Sequence, residues 1–200
     1  MAQVTGVTGG GGAINNYQPS LVLTQTVRTA GLYPSRDGGG AVSTTGMIHT
    51  FAGNFGPYGQ PQAQGQLQSI SQNTALFSLV GTTYGGNGQT NFALPNLAGT
   101  AAMGAGQRPG LTARGLGEQV GAGTNIMTLS QLPSHDHGLP GGGVTGLTGG
   151  NAPLNNMQPS LALNYQIAVE GIYPSRSSGG SSNPFIGQVS LFTGNFATGG

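Results

Sequence analysis

The sequence predicts a mainly β chain of the α+β kind with one short helix: a complete glycine-rich domain flanked by partial-repeat strands exchanged between subunits. Three observations predict it. Residues 4–36 read VTGVTGG, NNYQPSLVL and GLYPSR, and residues 144–176 return as VTGLTGG, NNMQPSLAL and GIYPSR at a constant offset, Asn15 answering Asn155 and Arg36 answering Arg176. The stretch HTFAGNF, His49 to Phe55, returns as SLFTGNF, Ser190 to Phe196, one residue out of step. Several segments alternate apolar and polar residues with a period of two, the pattern of a half-buried strand.

Each element follows in order. Residues 1–36 read as the closing part of a partial repeat. Its strand, Leu21 to Thr29, sets Leu21, Leu23 and Val27 on one face, with Gln25 interrupting them. Residues 37–46 are a glycine-rich linker. The complete domain spans 47–176 and opens on a strand, Met47 to Phe55, closed by a Gly-Asn turn. One helix follows. Ser71 or Asn73 can cap it, Ala75, Leu76, Phe77, Leu79 and Val80 form its apolar stripe, and Gly81 can end it. So short a helix is held by packing and not by propensity. Tyr84 to Gly121 reads as turns and short strands, with Gly85, Gly86 and Gly88 in a tight turn and no Lys-Ser/Thr ending of a phosphate loop. Thr124 to Leu129 reads as a further strand and Gly138 to Gly150 as a long loop. The clearest strand is Leu161 to Val169, where Leu161, Leu163, Tyr165, Ile167 and Val169 share a face. A second linker, 177–184, precedes 185–200, the first strand of a further partial repeat, read from Ile186 to Phe196.

Composition narrows the function classes. The chain holds 40 Gly, five Lys+Arg and four Asp+Glu in 200 residues. All five cations are arginines. Such a chain lacks the high charge of a disordered polypeptide. The scarcity of charge suits a surface covered by other copies, or one coated by Ser, Thr, Asn and Gln. No basic cluster exists to meet phosphates, which argues against nucleic acid. No apolar run approaches membrane-spanning length. Met1 to Gly12 lacks the basic-then-apolar pattern of a signal peptide. With no Cys there are no disulfides, and the redox compartment stays open.

The stretches FAGNF, GQLQSISQNTALFSLVGTTYGGNGQTNFALPNLAG, GAGQRPGLTARGLGEQ and LSQLPSHDHG resemble the phage tail-collar domain, in the bacterial branch described as microcystin-dependent proteins. The closing NNMQPSLALNYQIAVEGIYPSR resembles the end of that domain. The resemblance covers 47–176 and the two terminal fragments. Two departures stand out. Gln60 to Gln64 replace a segment that carries Trp and Cys-Asp-Gly, with Gly65 kept. Asn96, Leu97, Ala98, Gly99 and Thr100 replace an Asp-Leu-Arg-Gly-Arg run. Acidic and basic partners are lost together, which is tolerable where loss of one alone is costly. The resemblance implies an extracellular fibre or appendage, of a kind that is often trimeric.

Ser134, His135, Asp136 and His137 form the densest polar cluster. In an extended segment His135 and His137 share a face and can chelate a metal. In fibres resembling this one, such a pair from each of three chains surrounds an axial ion, and six nitrogens suit an octahedral transition metal better than zinc. No cofactor is required by the pattern, and a transition metal at His135 and His137 is the one candidate. The competing reading is a solvated loop with two unremarkable histidines. Neighbouring Ser134, His135 and Asp136 cannot converge as a triad. Asp37, Glu118, Asp136 and Glu170 supply no carboxylate pair for glycoside cleavage. The chain is therefore read as not an enzyme.

The expected function is structural: a subunit of a self-assembling extracellular fibre, polymerising head to tail by strand complementation. Its partners are other copies of itself. Leu21, Leu23 and Val27 of one copy would meet Val189, Leu191, Phe192 and Phe196 of the next. The alternative is a trimeric receptor-binding or adhesin tip, with metal at His135 and His137 and a cell-surface receptor met by Gly81 to Asn91 and Gly138 to Asn151.

Overall fold

A computed structural model of the chain describes residues 11–33, 44–169, 184 and 186–195. In chain order the elements are β1 (Ile14–Asn15), β2 (Thr24–Val27), β3 (Met47–Phe51), β4 (Leu67–Ser69), α1 (Thr74–Val80), β5 (Asn91–Ala93), β6 (Ala101–Gly104), β7 (Gln119–Val120), β8 (Thr124–Asn125), a 3-10 turn (Leu129–Gln131), β9 (Ser160–Ile167) and β10 (Val189–Phe192). The chain is mainly β with one short helix, as its alternating segments predict.

Two compact units form. Described residues 11–20 and 120–159 make the smaller, and 21–119 with the described part of 160–200 makes the larger. These units cut across the sequence units, because 120–159 leaves the 47–176 stretch to join 11–20.

In the smaller unit β1 pairs antiparallel with β8, Ile14 opposite Asn125. Asn16 fastens this ladder by donating its side-chain amide to the carbonyls of Ala122 and Met157. The strand expected over Thr124 to Leu129 is only β8. The chain then winds into the 3-10 turn, where Thr128 and Gln131 exchange side-chain and backbone hydrogen bonds as a capping box. The stretch expected as a long loop is folded on itself: His135 bridges to Thr148 and Gly138 to Val144.

In the larger unit the main sheet runs β2-β3-β10-β9-β6, antiparallel except where β6 lies parallel to β9. Its core joins Val27, Ile48, Leu161 and Leu163 from the sheet to Leu76, Leu79 and Val80 from α1, with Phe92, Leu94 and Leu97. Helix α1 ends where Gly81 adopts φ 54° and its N–H returns to the carbonyl of Phe77. Asn73 takes the N-cap position without capping. Its side-chain amide instead donates to the carbonyl of Ser69.

The strands are shorter than the alternation suggests, for a topological reason. The ladder of β2 on β3 closes at Thr24 opposite Phe51. Beyond it β3 bends away, and Leu21 and Val22 stand exposed with no strand beside them among the described residues. Likewise Ile186 to Phe196 contributes only Val189–Phe192. Of the expected apolar face of β9, Leu161 and Leu163 are buried, whereas Tyr165, Ile167 and Val169 are exposed. Phe196, both linkers' central residues and all of 170–183 with Glu170 and Arg176 lie outside the described residues, as do Arg36 and Asp37.

Candidate assembly interface

The sequence repeat folds as two copies of one hairpin. In the first, β2 and β3 pair Val27 with Ile48, Thr26 with His49, Gln25 with Thr50 and Thr24 with Phe51. In the second, β9 and β10 pair Ile167 with Val189, Gln166 with Ser190, Tyr165 with Leu191 and Asn164 with Phe192. Each of these pairs is the repeat equivalent of the other, so the register is identical. The turns agree too. Gly46 and Gly187 stand at equivalent places with φ 87° and 85°. The Arg28 N–H donates to the Met47 carbonyl and the Gly46 N–H to the Arg28 carbonyl; Ala168, Gln188 and Gly187 repeat both bonds. At the far ends Thr24 Oγ1 donates to the Gly53 carbonyl at 2.7 Å, and Asn164 Nδ2 to the Gly194 carbonyl at 2.7 Å. The rings of Phe51 and Phe192 lie over the bare Cα atoms of Gly53 and Gly194.

The hairpins meet along β3 and β10. Here the ladder is short: Phe192 pairs with Met47 and Leu191 with Ile48. Past Ile48 and Leu191 the strands part around a cavity of about 300 Å³, lined by His49, Thr50, Tyr165, Val189 and Ser190 among others. By the alternation of antiparallel ladders, Thr50 and Val189 turn their backbone groups toward this opening. His49 Nε2 and Arg28 Nε are buried beside the seam with no hydrogen-bond partner among the described residues. Burial, then the nearby Arg28 charge, holds the His49 imidazole below its ordinary pKa.

Within the single chain both terminal strands have partners, and they are not paired with each other. Strand β10 lies between β3 and β9. Strand β2 lies between β3 and the segment 59–63, through bonds such as Val27 N–H to the Pro61 carbonyl and Ala63 N–H to the Gln25 carbonyl. The physical reason is local closure: each strand finds a hairpin partner nearer in sequence than the other end of the chain.

The expected interface residues divide. Val27 and Phe192 are fully buried. Leu191 packs partly buried against the core. Leu21, Leu23 and Val189 are exposed, and Phe196 lies outside the described residues. The seam itself carries His49 and Ser190, which sequence reasoning left aside. The signal was present, since these are the first residues of the two repeated motifs.

His135 and His137 do come together. Their ring centroids are 5.0 Å apart, edge to face. His135 Nδ1 lies 2.8 Å from the Pro133 carbonyl, which accepts a hydrogen bond, so the Nε2 lone pair of the neutral ring points elsewhere. The backbone beside them is fixed by His137 N–H donating to Thr145 Oγ1 and by the paired bonds of His135 with Thr148. Among the described residues no group of three or more His, Cys, Asp or Glu could hold a metal ion. One chain can therefore offer two imidazoles and needs further ligands from elsewhere.

Of the four carboxylates, Asp37 and Glu170 lie outside the described residues. Glu118 is held by Arg114 at 2.8 Å and by the Gly115 N–H, and these bonds lower its pKa. Asp136 is exposed.

Residues 46–102, which run from the turn before β3 to the middle of β6, match the family model of the phage tail collar domain. This stretch is similar to the phage tail collar domain. The match names the family and no branch within it. No curated protein and no solved structure matches the chain. The collar domain is a structural tail domain and not an enzyme family, and collar domains are oligomeric tail components. The family points to an extracellular or phage-associated structural protein. No helix among the described residues is long and apolar enough to cross a membrane.

Proposed function

We propose that this collar-bearing chain is a structural subunit of a self-assembling extracellular fibre, polymerising head to tail by strand complementation. The observation that carries the reading is the seam: two self-sufficient hairpins joined by two registered pairs, against four within each hairpin. A joint this thin is the natural place for one copy's strand to be replaced by another's. Strand β10 of one copy would pair with β3 of the next, in the register it holds in its own chain, and keep its four pairs with its own β9. This differs from the partner expected from sequence, because β10 meets β3 and not β2. Exchange of an identical element is a low-cost route to association, and a contact that does not close into a ring propagates as a filament.

The chain has no Cys, so engineered thiols report the partner directly. His49→Cys and Ser190→Cys would be prepared as separate single variants, assembled together and treated with a short bis-maleimide. A covalent dimer in the mixture is expected, and a ladder from the double variant. Linkage found only within one chain carrying both thiols would overturn the reading.

The adjacent imidazoles favour a second reading, a trimeric receptor-binding tip in which three copies complete a transition-metal site at His135 and His137. Metal analysis separates it: one equivalent per three chains, lost in His135→Ala, is the outcome this reading requires. A protein that purifies and remains metal-free after incubation with divalent transition metals excludes it.

A further inference from the structure

The two hairpins are alike in register and unlike in cover. In the first, Val27 is 0% and Ile48 6% exposed, packed with Leu76, Leu79 and Val80 of α1. Their equivalents in the second, Ile167 and Val189, are 60% and 59% exposed. The neighbouring pair is Gln25 with Thr50 in the first hairpin, joined by a side-chain hydrogen bond, but Tyr165 with Leu191 in the second. The uncovered face is thus the more apolar of the two. Tyr165 is 49% exposed, and only Leu191 is tucked against the core.

We propose that this face of the second hairpin, Tyr165, Ile167 and Val189, is a docking surface for a further collar-type insert, a helix-bearing segment of the 56–100 kind supplied by another collar domain. Three arguments point to that occupant. The chain contains the template: the equivalent face of the first hairpin is covered by just such a segment, which follows the first GNF motif. The surface is continuous with that established interface, since Leu161 and Leu163 on the same face of β9 already pack with α1. The charge matches as well, because neither the three residues of the face nor the first and last turns of α1 carry a charge. The inference is independent of strand exchange, since β10 presents the same face in either arrangement.

The test extends the chain by repeating residues 56–100 after residue 196, where Phe196 stands as Phe55 stands in the first motif. Val189→Cys provides a thiol on the face. In the unextended chain it should label freely with a maleimide, and in the extended chain labelling should slow about ten-fold or more. Ile167→Asp in the extended chain should restore fast labelling, while the circular dichroism of the unextended Ile167→Asp chain shows whether the sheet still folds. Equal labelling in both chains overturns the proposal. So does slow, concentration-dependent labelling of the unextended chain, which would mean that a second copy covers this face.

Discussion

At the scale of single residues, equivalent positions in the two hairpins are held by different amounts of surrounding structure. Gly46 and Gly187 share a left-handed φ that L side chains resist. A Cβ at Gly46 would stand 3.0 Å from the Phe192 ring and from Thr193 Oγ1, whereas one at Gly187 meets nothing within 4 Å among the described residues. Forcing a side chain into this region costs about 1–2 kcal/mol by itself. Gly187→Ala should therefore lose roughly that much stability, while Gly46→Ala loses that and the cost of displacing Phe192. Urea midpoints compare the two, and an equal loss would contradict the packing described for Gly46. That Gly46 and Gly187 are equivalent is readable from the repeat. That only Gly46 is crowded is not, because the crowding comes from β10, far away in sequence.

At the scale of elements, the hairpin seam contains one pH-sensitive side chain, His49. His49 is neutral in the sheet, since burial and then Arg28 lower its pKa from 6.5. The unfolded chain takes up a proton near pH 6.5, while the folded chain resists until lower pH, so acid favours unfolding. The contribution of His49 is thus complete above pH 6.5 and is lost as pH falls below it. A His49→Asn variant should show a flatter decline in melting temperature from pH 7 to pH 5. A wild-type decline of the same slope would remove His49 as its cause. Elements were the most legible level in the sequence. Leu161 to Val169 and the Leu76–Val80 stripe declare their type by local periodicity, and Gly81 announces the end of α1. Strand length was less legible, because β2 stops where β3 bends away and not where its own alternation ends. The His135–His137 pair was legible as neighbours on one face. Its backbone support was hidden, because Thr145 and Thr148 reach it across a stretch that reads as loop.

At the scale of the whole molecule, nine charges on 200 residues leave little electrostatic repulsion between copies. The head-to-tail reading therefore predicts open filaments in negative-stain images of the full chain, with the cross-linked ladder as its chemical counterpart. Closed trimers of uniform size would favour the metal-bearing tip instead.

The sequence alone determined that the chain is built on a repeat, that the repeat is made of strands, and that one short helix lies between the copies. All three follow from patterns spanning a few neighbouring residues or from direct self-similarity. Only the tertiary structure decided which strand lies beside which. It placed β10 between β3 and β9, gave β2 a partner on each side, sent 120–159 to join 11–20, and left the more apolar hairpin the less covered. Pairing depends on which distant surfaces can close together at the least loss of chain freedom. Alternation along a strand says which face seeks cover and nothing about what supplies it.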